Sequence, residues 1–320
     1  MITAKSILTL AAALVLVGIM ILLLTACAAG GNFSLTGSRK CEDRTHEISE
    51  DFSDVLIVSD TADITLLPSE DGSCKVVCYE REKQTHAVTV EDGTLTVRLI
   101  DKRRWYDHIG FFFEKPTLTV YLPESQYGAL VISEDTGDVS VPSDFCFESI
   151  DVKTKTGDVS VLASARGAVK IKTSTGNIRA KELSAASLDL SVSTGKITVA
   201  SVCTAGDLKL RVSTGKAYLT DVTCKNLTSS GSTGDISLTS VIVEEKLSIE
   251  RSTGDVRLDA SDAAEIYVVT DTGDVKGSLL SEKIFFCKTD TGKVSVPKTA
   301  TGGICDIKTD TGNIIIKIES

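Results

Sequence analysis

The 320-residue chain is poor in the residues that break strands or build ligand platforms: five prolines, one tryptophan, two methionines, and aromatics at only 5%. So few aromatic rings argue against a stacking surface for sugars, and therefore against a polysaccharide-acting enzyme. Basic excess is also missing, with 34 Lys and Arg against 44 Asp and Glu for a net charge of −10. That balance excludes a nucleic-acid backbone as partner, because phosphate binding needs clustered cations. There is no CxxC pair, and His46, His86 and His108 are scattered away from the cysteines, so neither zinc nor any other cofactor is expected. What is present, 42% hydrophobic and 24% charged residues, is a folding composition, not a disordered one.

One long hydrophobic run stands out. From Ile7 to Ala26 (ILTLAAALVLVGIMILLLTA) the chain carries no charge, over about the 20 residues that span a bilayer core as a helix. Its length favours an uncleaved anchor over a signal peptide, whereas Leu24-Thr25-Ala26-Cys27 has the form of a bacterial lipobox in which Cys27 would be lipidated. Both readings tether the chain to a membrane, with its bulk outside the cytoplasm. Residues 1–27 are thus read as anchor or lipoprotein signal and 28–50 as a polar linker.

Beyond it, Thr-Gly recurs at Gly137, Gly157, Gly176, Gly195, Gly215, Gly234, Gly254, Gly273, Gly292 and Gly312, always 19 or 20 residues apart. Aligned on the glycine, positions two and four after it are apolar (Ile197 and Val199, Ile236 and Leu238), and so are positions five and seven before it (Leu190 and Leu188, Leu210 and Leu208). Alternation on both sides is the period of half-buried strands. Each copy reads as strand, turn, strand and return segment, and one copy cannot bury its own apolar face. Stacking copies about 4.8 Å apart gives a continuous core. The expected fold is all-β, a single-chain β-solenoid (parallel β-helix) following an N-terminal transmembrane helix. Regular repeats are expected over 131–320, with irregular capping coils over 51–130, where Ala62 stands in the glycine place of SDTADITLLP.

The tripeptide Asp-Thr-Gly, which marks the catalytic loops of aspartic proteases, occurs at Asp135, Asp271, Asp290 and Asp310. Other copies carry Lys155 or Ser174, Ser193, Ser213, Ser232 and Ser252 in the Asp place. A position that accepts Ser and Lys is an exposed turn, and no catalytic residues are assigned. Calcium is the alternative chemistry, with Asp255, Asp271, Asp274 and Asp290 as the densest set of oxygen ligands. Lys196, Lys216 and Lys293 interrupt that ladder, and a solvated edge is the simpler reading.

Of the cysteines beyond Cys27, only Cys203 and Cys224, in adjacent coils, make a disulfide pair worth considering. KRRWYDHIGFFF (102–113) gathers Trp105, Tyr106, Phe111, Phe112 and Phe113 with basic residues, either as an insertion over the open end of the solenoid or as a lipid or partner contact. The sequence stops at NIIIKIES after the tenth turn, which suggests that the last coil has an unpaired edge suited to strand addition or end-to-end self-association.

The Thr-Gly-Asp coils, preceded by EISEDF (47–52) and a membrane segment, resemble the bacterial putative-adhesin β-helix family, much of it of unknown function, over about residues 47–320. The resemblance implies a right-handed-type solenoid on the cell envelope, and by analogy a non-enzymatic adhesin or interaction scaffold meeting an unknown protein or cell-surface ligand. An accessory or regulatory partner of an envelope-stress membrane system is the other reading. Ala62, and Lys after Gly195, Gly215 and Gly292, depart from the family pattern, so no charge ladder carries over.

Overall fold

The computed structural model describes residues 14–18, 20, 41–103 and 114–319. Two units separate by their internal contacts: 1–40 with 103–113, and 41–102 with 114–320. Of the first, residues 14–18 and 20 are helical and exposed. Among the described residues no helix is long and apolar enough to cross a membrane; most of the expected anchor, with Cys27, lies outside them.

The second unit is a β-solenoid. Its strands are β1 (Cys41–Ile48), β2 (Asp54–Val58), β3 (Asp63–Pro68), β4 (Cys74–Arg81), β5 (Gln84–Glu91), β6 (Thr94–Asp101), β7 (Thr117–Leu122), β8 (Gln126–Thr136) and β9 (Val139–Val141). Twelve more, β10–β21, build the middle coils over 146–253. They are followed by β22 (Val256–Thr272), β23 (Val275–Leu279), β24 (Lys283–Thr291), β25 (Val294–Ser295), β26 (Gly303–Thr311) and β27 (Ile314–Ile318).

Consecutive middle coils pair in parallel and in repeat register, so Leu190 lies beside Leu210 and Val199 beside Leu219. Outside the outermost coil, the four predicted apolar columns are buried with small exceptions such as Gly277. The glycine corner is tight for a steric reason. At Gly195 φ is 149° and an added Cβ would run into the carbonyl oxygen of Gly176, so a side chain there is both strained and blocked. A second corner lies six residues further on, where Glu182, Ser201, Asp221, Ser240 and Ala260 all take φ between 46° and 54°. This left-handed residue turns the next ones inward, and Leu183, Val202, Val222 and Val241 form a fifth buried column. The segment read as a return is therefore a third core-facing wall.

Both ends depart from sequence order. At the first end, the coil made by β2 and β3 lies between β6–β7 on one side and β8–β9 on the other. Ala62 falls in register with Gly137, as the degenerate repeat predicts. Antiparallel strands then close the core: β5 on β6, β4 on β7, and β1 on β4. Residues 41–48, expected within the linker, are thus the outermost strand of this cap.

At the other end β26 pairs with both β22 and β24, and β27 with both β23 and β25. The final coil sits inside the stack, and the coil of Gly292 lies outside it. This corrects the expectation of an open edge at NIIIKIES: among the described residues the unpaired edge is that of β24 and β25. Lys283, 3% exposed, pins the outer coil by reaching past Gly303 to Asp262, Nζ to Oδ1 2.7 Å.

Candidate functional sites at the two ends of the stack

The corner ladder explains the Thr-Gly-Asp signature. Where the residue after the glycine is Asp or Asn, its side chain accepts the backbone N–H of the equivalent residue in the next coil. Asp138 takes that of Asp158 (2.8 Å), Asp158 that of Asn177 (2.7 Å), and Asn177 that of Lys196 (3.1 Å). The series resumes with Asp235 to Asp255, Asp255 to Asp274, Asp274 to Asn313 and Asn313 to Lys293. A lysine has no oxygen to offer. Lys196 therefore ends the first run, while Lys293 occupies the outermost rung, beyond which no coil needs an acceptor.

Two of the four carboxylates of the calcium set are committed to backbone, and among the described residues the four do not come together as a cluster. Asp255 and Asp274 serve the ladder, and Asp274 also holds Lys276 at 2.5 Å. The Asn313 backbone N–H and then Lys276 draw the Asp274 carboxyl below its ordinary range. Asp290 pairs with Lys288 at 3.1 Å and is separated from the coil of Asp271 by the inserted coil of Asp310. The two are not in neighbouring coils, contrary to the sequence-order reading. No protease-like pair arises either, since the four Asp-Thr-Gly corners are rungs of an outward-facing turn.

Inside the same corner is a column the alternating pattern did not reveal, three residues before each glycine: Glu134, Thr154, Thr173, Val192, Val212, Gly231, Arg251, Thr270, Thr289 and Thr309. The threonine hydroxyls donate to corner carbonyls, Thr173 to Gly157 at 3.2 Å and Thr309 to Gly273 at 3.1 Å. Arg251, 1% exposed, lies in space left by Ser229 and Gly231, and donates to Ser229 Oγ at 2.8 Å. Burial lowers its pKa.

At the capped end this column becomes a polar network. Ser59 stands in the place of Thr, next to Glu134. The β4–β5 hairpin brings Glu80 and His86 over it, with Ser59 Oγ 3.1 Å from His86 Nε2 and His86 Nδ1 2.9 Å from Glu80 Oε2. The backbone N–H of His86 also donates to Glu80 Oε2, at 2.6 Å. Arg44 of β1 lies 3.5 Å from Glu80 Oε1. Cys78, two residues before Glu80 on the same inward face, is fully buried, and burial first and Glu80 second push its thiol up to about 12. Glu134 accepts from the N–H groups of Ala62 and Thr136, both 3.3 Å, and desolvation nonetheless raises its carboxyl to about 7. Serine, histidine and carboxylate in a row have the connectivity of a nucleophile with its base. Here the serine is 9% exposed and points into the core column, so this geometry does not present an attacking oxygen to a substrate.

Among the described residues nothing covers the opposite end. In β24 the core columns surface as half-buried Phe285 and Cys287, and beside them Phe286 is 57% and Val294 44% exposed. Ile284 and Ile304 add to this apolar rim.

Cys41, Cys74, Cys78, Cys146, Cys203, Cys224, Cys287 and Cys305 are free. The Cys203 and Cys224 pairing is overturned by register: Cys203 lies beside Thr223 and faces out, so the next residue, Cys224, faces the core. Trp105, Tyr106, Phe111, Phe112 and Phe113 lie outside the described residues.

The Toastrack DUF4097 family model matches residues 52–216 and 199–320. The chain belongs to this Toastrack family. No curated protein matches it. Among solved structures, a putative adhesin from Parabacteroides distasonis ATCC 8503 is similar at 12% identity and a TM-score of 0.51, covering 85% of this chain and 98% of that one. A putative adhesin from Bacteroides fragilis NCTC 9343 has 16% identity and a TM-score of 0.43, covering 87% and 97%. A putative lipid binding protein from Parabacteroides distasonis ATCC 8503 has 15% identity and a TM-score of 0.48, also covering 87% and 97%. At these identities the likeness is one of fold, that of a β-helix.

Proposed function

We propose that this Toastrack protein is a membrane-tethered interaction scaffold of the cell envelope, held by residues 7–26 with its solenoid outside the membrane, and that its outer coil joins a second copy. The observation that carries the reading is the open edge of β24, flanked by exposed Phe286 and Ile284. Monomeric proteins protect such edges, and the first end of this stack does so with β1, β4 and β5. A second copy suits the charge pattern. An antiparallel β24 centred on Thr289 would place Lys288 of one chain opposite Asp290 of the other twice, and strand pairing would cover the half-buried columns.

Light scattering on the full chain in detergent should give a dimer that Lys288→Asp dissociates, by setting like charges opposite each other. Adding Asp290→Lys should restore it. A parent that stays monomeric at high concentration, or a double variant no better than the single one, would overturn the reading.

A further inference from the structure

The capped end holds a feature that scaffolding does not require. One ligand atom from each of Cys78, Glu80 and His86 lies within 4.8 Å of the others, and all three residues are buried. From these atoms we propose that the cap is a binding site for a zinc-class divalent cation, with Cys78 Sγ, Glu80 carboxylate and His86 Nδ1 as protein ligands.

Thiolate, imidazole and carboxylate together select zinc or cobalt over calcium and magnesium, which take oxygen ligands. Three protein ligands leave a fourth tetrahedral position for water. The surroundings complete a second layer of the expected kind, in which the other ring nitrogen of a ligating histidine donates to a fixed acceptor. With Nδ1 on the metal, the Nε2 hydrogen donates to Ser59 Oγ at 3.1 Å. The Ser59 hydroxyl is then free to donate onward to Glu134, whose carboxyl it stabilises. Two carboxylate oxygens of the network, Glu80 Oε1 and Glu134 Oε2, are buried and make no hydrogen bond.

Charge balance agrees. Binding would release the thiol proton, and thiolate, carboxylate and a dication sum to zero, which spares the buried cap an uncompensated charge. Arg44, the present neighbour of Glu80, has a side chain 44% exposed and room to turn to solvent. The sequence conceals this site because Cys78 and His86 are eight residues apart, a spacing that becomes a cluster only through the β4–β5 hairpin.

The test is cobalt titration of the full chain in detergent, followed by absorption, with folding followed by circular dichroism. One equivalent should give the thiolate-to-cobalt band in the near ultraviolet together with tetrahedral ligand-field bands. Cys78→Ser should abolish the former, and zinc should displace both. Ser59→Ala keeps all three ligands and removes only the acceptor of Nε2, so it should weaken binding about tenfold or more while folding normally. A folded parent without the thiolate band, a band that survives Cys78→Ser, or Ser59→Ala binding as the parent does would each overturn the assignment.

Discussion

Replacing Glu134 by Gln should reverse its effect with pH. The side chain is 2% exposed, and its carboxyl is raised from 4.5 to about 7, first by desolvation. The Ala62 and Thr136 N–H groups and Ser59 oppose that rise, while Asp60 adds to it. Lys115, the nearby cation, is itself engaged by Asp63 at 2.5 Å. Because the folded value lies above the unfolded one, the folded protein holds a proton the unfolded chain has lost between them. Stability is therefore full below 4.5 and falls as pH rises through 7. The gap of about 2.5 units corresponds to roughly 3 kcal/mol at 1.36 kcal/mol per unit. Glutamine keeps a carbonyl for the two backbone donors and never ionises. Urea unfolding of parent and Glu134→Gln, followed by far-ultraviolet circular dichroism from pH 4 to 8.5, isolates the residue because every other titrating group is common to both. The variant should gain on the parent by roughly 3 kcal/mol between the extremes. Parallel curves across that range would refute the reasoning.

Two further outcomes follow from the corners. Gly234→Val places a branched side chain at φ 124° against the carbonyl oxygen of Gly215, and should cost at least about 2 kcal/mol; a thermal melt equal to that of the parent would contradict the corner assignment. Asp255→Ala removes the acceptor of the Asp274 N–H, 2.9 Å away, for about 1 kcal/mol, whereas Asp255→Asn keeps an acceptor and should be nearly neutral in the same melt.

How much of this the sequence disclosed depended on periodicity. Strands whose apolar residues alternate around a fixed glycine, such as Leu188, Leu190, Ile197 and Val199, were legible because their burial repeats every second residue. The third wall was not, because a left-handed residue such as Ser201 shifts the alternation by one, and Val202 then falls out of phase with Val199. The column holding Thr173 and Arg251 was hidden for another reason: its residues are polar, and their burial is offset by corner carbonyls and not by greasy neighbours. The cap network was hidden because antiparallel pairing joins residues that no repeat relates. The exchanged order of the last two coils left one trace, the placement of Asn313 and Lys293, which signifies nothing until the ladder of N–H donors and side-chain acceptors is known.

That exchange creates a competitor. Every coil offers its neighbour the same threonine-glycine corner, so residues 283–295 could dock directly on β22 and β23 before residues 303–318 arrive. Such a sequential threading would set Lys293 at an inner rung, where an acceptor is needed, and would leave Asn313 offering its side chain to no one. It would also force the Phe285 strand into the slot that Gly303, lying against Ala264, fills without a side chain. The protein thus distinguishes two orders of a single stack by a few asymmetric residues, since Lys293, Asn313 and Gly303 each suit only one of them.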